Sequence, residues 1–196
     1  MQCNIERVID AHGGIDCWHR YEKVEATIVS GGPVSPQGCS SGPHSASCDC
    51  LAAEERSSVF PYGALDQRTM FTPDRIAIEK LDGTVVAERQ IPRDSFAGHQ
   101  MSTPWDALHR AHFNGYALWT YLTTPYFLAI NGVRVEETEP WSEGAETQLT
   151  ADYVVANGIH LPTKRRAYTR GSDRRPILEM LIHRYNGPGG ETAMKN

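Results

Sequence analysis

Twenty-three consecutive residues, 111–133, contain no Asp, Glu, Lys or Arg. A helix of this length is long enough to span a lipid bilayer. The stretch nevertheless contains several polar residues, among them Asn114 and Asn131, and Pro125 interrupts it. A spanning helix would have to place these polar groups in lipid, where no water can satisfy them. We therefore expect a helix buried in a protein core and no stable membrane insertion.

Capping residues and apolar spacing delimit this helix. Thr103 is a suitable N-cap, Pro104 suits the first helical position, and Asp106 occupies the acidic position of a capping box. Pro125 should end the helix near Thr123. Large or small apolar residues and one histidine recur at three- and four-residue spacing: Trp105, Leu108, His112, Gly115 and Trp119. Six of the 17 aromatic residues lie between Phe113 and Phe127, so we expect this helix to be a major core element.

The rest of the chain is mostly typical of β-structure. Apolar and polar residues alternate around Asp82-Gly83, a turn pair that needs positive φ, which predicts a β-hairpin. Strands are also predicted at 57–60, 68–71, 147–155, 158–169 and 176–185, with Asn157-Gly158 as a second hairpin signal. A short helix is predicted from Ile5, interrupted by Gly13-Gly14.

Two segments lack any apolar period. Thirteen of the twenty residues 30–49 are Ser, Gly or Pro, which predicts a loop that is disordered, inserted or the product of an altered reading frame. Residues 187–196 are rich in glycine and are predicted to form a frayed tail. With 196 residues, the chain has room for one domain, 1–196, that carries both segments.

Charge and composition exclude some classes of protein. The net charge of −5 does not favour nucleic acid as a partner. Residues 157–185 carry a net charge of +5, which we interpret as a solvated sheet face balanced by the acidic run 136–146. The chain opens without a basic and apolar leader, so a cytoplasmic location is expected. The composition leaves the oligomeric state open.

Four potential metal ligands, Cys39, His44, Cys48 and Cys50, lie within twelve residues. Their spacing matches no standard zinc motif, so we interpret the cysteines as free thiols in a flexible loop. No metal and no cofactor are expected.

A second cluster lies on the main helix. Asp106, His109 and His112 are three residues apart and therefore neighbours, so an acid could orient a histidine as a general base. No nucleophile is placed beside them by the sequence. Catalysis by these three residues is the alternative to a capping acid followed by partly exposed histidines.

Two segments carry a family resemblance. The segment "VIDAHGGIDCWHRYEKVEATIV" resembles the opening helix and first strand of bacterial outer-membrane lipoprotein carriers through Ala11, Gly13, Gly14, Ile15, Lys23 and Val24. The segment "DYVVANGIHLPTKRRAYTR" resembles the late hairpin of that group through Tyr153, Asn157, Gly158, Ile159, Leu161, Pro162 and Thr163. The middle of the chain, 71–130, looks like a soluble, uncharacterised branch of the same half-barrel superfamily.

The resemblance implies an α+β fold, with a strongly curved antiparallel sheet that forms an incomplete barrel. An N-terminal helix would accompany it, and the central aromatic helix would lie in the concavity. Members of this group carry lipid or other apolar cargo there. The expected function is therefore non-catalytic binding or carriage of a hydrophobic small molecule or lipid. The aromatic helix would supply the ligand-binding residues: Trp105, His112, Tyr116, Trp119 and Tyr121. The alternatives are a small-molecule enzyme with a histidine base in the same pocket, and a structural or nonfunctional remnant.

Overall fold

A computed structural model describes residues 4–31, 44–100, 103–136, 146–170, 175–185 and 193–195. It is an α+β fold built on one antiparallel sheet. The strands are β1 (Lys23–Gly31), β2 (His44–Leu51), β3 (Ser57–Phe60), β4 (Gln67–Thr72), β5 (Arg75–Lys80), β6 (Val85–Gln90), β7 (Glu146–Ala156), β8 (Ile159–Arg170), β9 (Pro176–Tyr185) and β10 (Ala193–Lys195).

The strands pair in the order β6-β5-β4-β3-β2-β1-β9-β8-β7, and β10 pairs with β1 beside β9. The sheet is not closed: among the described strands, β6 and β7 are the two ends of this order. Every neighbouring pair is antiparallel.

The predicted hairpin at Asp82-Gly83 is confirmed by β5 and β6. Gly83 has a φ of 90°, and its N–H donates to the Lys80 carbonyl over 2.9 Å. The Asp82 carboxylate accepts from the Thr84 N–H, also at 2.9 Å. The turn thus places a left-handed conformation at the residue that tolerates it best.

The loop predicted for 30–49 is wrong at both of its ends. Residues 30–31 belong to β1 and 44–49 belong to β2, while 32–43 lie outside the described residues. In β2 the side chains of Ala46, Cys48 and Cys50 are buried, whereas Ser47 is exposed. This is the period of a strand with one buried face. Its apolar positions are small residues, which the Ser/Gly/Pro composition obscured.

The predicted frayed tail, 187–196, is wrong for 193–195, which form β10. These residues pair with Lys23–Glu25 at the start of β1, beyond the point where β9 stops pairing with that strand. An open sheet edge therefore binds the segment, a contact that composition does not reveal. The remainder of the predicted tail lies outside the described residues.

The N-terminal helix divides at its glycine pair as predicted, into α1 (Asn4–Ala11) and α2 (Ile15–Trp18). The turn between them contacts the tip of the β7–β8 hairpin. The His160 N–H donates to the His12 carbonyl over 2.9 Å, and a Cβ added to Gly13 would lie 2.2 Å from the Gly158 carbonyl oxygen. The two segments that carry the family resemblance are thus in direct contact.

The main helix, α3, spans Ala107–Thr123 and ends before Pro125, as predicted. Its start differs from the prediction, because Asp106 rather than Thr103 is the N-cap. The Asp106 side chain accepts from the His109 N–H over 2.7 Å, and this bond sets the first turn. Thr103 instead accepts from the Gln100 N–H in the preceding segment.

α3 packs against strands β2 to β6. The approach is close, because a Cβ on Gly115 would lie 2.5 Å from Cβ of Phe71. The three consecutive residues 117–119 are all buried, although successive helical residues point about 100° apart. α3 is therefore enclosed on most of its sides.

The uncharged stretch 111–133 is long enough to span a bilayer in principle. In the part of the chain that the structure describes, however, no helix is long and apolar enough to cross a membrane.

Candidate functional site

A cluster of aromatic rings lies where α3 begins, and Phe96 is at its centre. Phe96 ends a short 3-10 helix, Pro92–Phe96, that follows β6. Its ring centroid lies between 4.9 and 5.6 Å from those of four other rings, His99, Trp105, His109 and His112. Phe71 of β4 closes one side, 5.4 Å from the His112 ring. We call these six residues the Phe96 cluster.

Asp106 borders the Phe96 cluster as a capping and ion-pairing residue. Its Oδ2 lies 2.6 Å from a guanidinium nitrogen of Arg89 on β6. Burial alone would raise the pKa of Asp106, but the hydrogen bonds from Arg89 and the His109 N–H lower it to about 2. Asp106 is therefore a stable carboxylate that anchors α3 to the edge of the sheet.

His109 has protein partners for both ring nitrogens. Nδ1 accepts from the Asp106 N–H over 3.3 Å and lies 2.9 Å from Asp106 Oδ1. Nε2 lies 3.3 Å from the Ser95 carbonyl oxygen, to which it can only donate. Both ring nitrogens of His109 are therefore already engaged with protein atoms. The structure thus places Asp106 and His109 together as predicted, but in a capping box.

His112 and His99 differ from His109 in one respect. The Nδ1 atom of each is buried and has no hydrogen-bond partner within the described part of the chain. Burial, with the positive charge of Arg93 and the proximity of His109, lowers the pKa of His112. His112 is therefore a neutral imidazole at pH 7, half-buried between the rings of Phe71 and Phe96.

The structure divides the five predicted ligand-binding residues among four environments. Trp105 and His112 belong to the Phe96 cluster. Trp119 is 6% exposed in the main core, where its Nε1 donates to the Leu51 carbonyl over 3.0 Å. Tyr121 lies under the guanidinium of Arg165, with 4.6 Å between that group and the ring centroid.

Tyr116 differs most clearly from its predicted place in the wall of an internal cavity. Its side chain is 50% exposed, although the next three residues of α3 are buried. It cannot line an internal cavity in this conformation. Four of the five residues lie on α3 and Trp105 precedes it, and the five do not share one environment.

The Tyr121 contact also concerns the basic C-terminal third, which was expected to be a solvated face. Arg165 on β8 is only 5% exposed, and its Nη2 donates to the Tyr121 carbonyl over 2.7 Å. That carbonyl belongs to the last turn of α3, where helix carbonyls lack helical partners. The part of the solvated-face prediction that rests on Arg165 is therefore wrong, and this residue caps α3.

Cys48 and Cys50 carry free thiols as expected, but they lie in a strand and not in a flexible loop. Cys48 and Cys50 are fully buried on one face of β2, with 3.4 Å between their Sγ atoms. Burial and the contact with Cys48 raise the pKa of the Cys50 thiol. Within the described residues, no group of three or more potential ligands is arranged to hold a metal ion. Cys39 lies outside those residues.

Sequence reasoning missed several members of the site. Phe71 and Phe96 are far apart in sequence, and neither carries a motif. His99 precedes the helix and lies 4.9 Å, ring to ring, from His109. Arg89 could have been noticed only as one of the two charged residues of β6. A histidine at the third helical position after an N-cap acid was the one local signal, and it indicated a cap.

The arrangement is better suited to binding than to catalysis. Aromatic walls with a small number of polar atoms are typical of small-molecule sites. A general base also needs an orienting group and a reacting partner, and the acid nearest the cluster, Asp106, already binds Arg89 and caps α3.

No protein-family model matches this chain, and no curated protein is significantly similar to it.

Proposed function

We propose that the chain binds a hydrophobic small molecule or lipid without chemically changing it, at the Phe96 cluster. The observation that carries the proposal is the pair of buried Nδ1 atoms on His99 and His112. Both lie among aromatic rings, and neither has a hydrogen-bond partner among the residues that the structure describes. A buried polar atom left unsatisfied costs free energy, so a ligand group that reaches it gains affinity.

The fold supports a half-barrel interpretation. The sheet is antiparallel and open, and α3 is buried on most sides while it packs against β2 to β6. A sheet curved around α3 accounts for this enclosure, with the helix in the concavity. The contact between the Gly13 turn and the Gly158 turn further agrees with a distant relationship to the lipoprotein carriers, whose two characteristic segments it joins.

The test is binding of N-phenyl-1-naphthylamine, a neutral apolar dye that fluoresces in apolar sites. We expect saturable binding to the full chain. Phe96→Ala removes the ring at the centre of the cluster and should weaken binding about tenfold or more, because a buried phenyl contributes well over 1 kcal/mol. Native mass spectrometry of the purified protein should in addition detect co-purified apolar molecules.

Tyr116→Ala is the matched control. It removes one aromatic ring from the neighbouring helix α3, but from an exposed position. Its affinity for the dye should equal that of the wild type. Phe96→Leu, which keeps an apolar side chain, provides a second variant should Phe96→Ala unfold. Absence of saturable binding by the wild-type chain would refute the proposal.

A further inference from the structure

The Phe96 cluster also constrains the chemistry of its ligand. This inference rests on the proposed function and deepens it. We infer that the ligand is a neutral, planar aromatic molecule with a hydroxyl group, which hydrogen-bonds to His112.

The neutral protonation state of His112 determines which hydrogen bonds a ligand can form with it. A neutral imidazole offers one acceptor and one donor nitrogen. Within the described ranges, the buried Nδ1 of His112 has no hydrogen-bond partner, and the same atom of His99 has none either. A hydroxyl group both donates and accepts, so it satisfies either tautomer. A ligand without a polar group would leave both atoms unsatisfied.

Charged ligands are disfavoured at the Phe96 cluster. The faces of aromatic rings carry negative partial charge, so Phe71, Phe96 and Trp105 disfavour an anion that lies against them. Arg93 exerts a positive potential at His112, and this potential disfavours a cation there. Two further guanidinium groups next to the cluster are already bound: that of Arg89 to Asp106 at 2.6 Å and to Ser95 Oγ at 3.3 Å, and that of Arg110 to the Trp105 carbonyl. A neutral ligand avoids both penalties.

The arrangement of the rings in the Phe96 cluster favours a planar ligand. Phe96 meets His99, Trp105 and His109 edge-on and meets His112 in a tilted arrangement, all at centroid separations of 5.6 Å or less. Aromatic groups prefer these edge and offset geometries with one another. A flat ring extends this array more readily than a branched aliphatic chain.

Three naphthalene derivatives separate these claims, with affinities measured at pH 7.5 on the full chain. They are 2-naphthol, which has a neutral hydroxyl group, naphthalene, which has no polar group, and 2-naphthoate, which is an anion. We expect 2-naphthol to bind about three- to tenfold more tightly than naphthalene, the usual net gain from one hydrogen bond. 2-Naphthoate should bind more weakly than 2-naphthol.

His112→Phe keeps a ring and removes the polar atoms. It should abolish the advantage of 2-naphthol over naphthalene, so that the two compounds bind this variant with equal affinity. His160→Phe is the matched control, since His160 is exposed on β8, and it should keep the full advantage.

The wild-type measurements alone decide the inference, whether or not the variant folds. Equal affinity for 2-naphthol and naphthalene, or tightest binding of 2-naphthoate, would overturn the ligand class and leave hydrophobic binding intact. If none of the three compounds binds, while the apolar dye does, the inferred class is wrong and the proposed function stands. If the dye fails as well, both are wrong.

Discussion

At the scale of single residues, the first turn of α3 shows how one side chain can serve a local and a distant purpose. Asp106 caps its own helix through the His109 N–H and holds Arg89 of β6. His109 completes the cap and also reaches the Ser95 carbonyl oxygen. Asp106 and His109, two of the three residues that looked catalytic in sequence, are therefore occupied by structural bonds.

Asp106→Ala should destabilise the fold by about 1 kcal/mol, the usual cost of a lost N-cap. Because the pKa of Asp106 is lowered to about 2, the unfolded state binds its proton more readily than the folded state. The contribution of this ionised carboxylate is thus complete above pH 5 and is lost as the pH falls towards 2. Urea unfolding at pH 7 and at pH 3 measures both effects.

Asp106→Asn is the control for the charge, because asparagine is also a good N-cap. It should retain most of the stability at pH 7 and lose the part of the pH dependence that belongs to residue 106. An Asp106→Ala variant as stable as the wild type at pH 7 would contradict the capping role.

Gly13 and Gly14 offer a second test at this scale. Both have positive φ, but only a Cβ at Gly13 would meet another residue, 2.2 Å from the Gly158 carbonyl oxygen. Gly13→Ala should therefore cost about 1–3 kcal/mol more than Gly14→Ala, whose added Cβ meets no atom within 4 Å. Equal losses of thermal stability in the two variants would show that the α1–α2 turn is not in tight contact with the β7–β8 hairpin.

At the scale of elements, local patterns predicted the turns, five of the strands and the C-terminal end of α3, but not the strand β2. Asp82-Gly83 and Pro125 act through their own backbone geometry, so their neighbours matter little. The segment 44–51 becomes a strand because β1 and β3 pair with it and α3 covers it. Nothing within those eight residues reveals these partners.

The prediction at the scale of elements concerns Gly115, the residue that lets α3 approach the sheet closely. In an isolated helix, Gly→Ala is favourable by about 1 kcal/mol. Here the new Cβ would lie 2.5 Å from both Cβ and Cγ of Phe71, so Gly115→Ala should instead destabilise by about 1–2 kcal/mol. Chemical denaturation provides the measurement.

The double variant Gly115→Ala/Phe71→Leu checks the cause. If the contact between helix and strand produces the loss, the two substitutions should be less damaging together than the sum of their separate effects. Strict additivity would mean that Phe71 does not limit the approach.

At the scale of the whole molecule, α3 joins two apolar clusters. Trp119 belongs to the larger one with Trp18 and Tyr126, whose rings stack at 4.3 Å. Phe71 and Ala111 belong to the smaller one. The Phe96 cluster adjoins the smaller core, near the edge strand β6, and is less completely buried than Trp119.

Trp119→Ala should therefore cost about 3–5 kcal/mol, as expected for a large side chain in a packed core. Trp105→Ala, at a half-buried position of the Phe96 cluster, should cost less than half of that. Thermal unfolding of both variants, without and with the naphthylamine dye, is the measurement. Comparable losses in the two variants would place Trp105 in a packed core and would weaken the proposed site.

Local signals in the sequence by themselves determined the hairpin at Asp82-Gly83, the division between α1 and α2, and the end of α3 near Pro125. Each depends on dihedral preferences within a few residues, which no distant partner has to supply. Only the tertiary structure decided that Cys48 and Cys50 lie in a buried strand, that Tyr116 faces solvent, and that His109 binds Ser95. These outcomes depend on burial and hydrogen bonds between segments far apart along the chain, where the free energy comes from the partner and not from the local pattern.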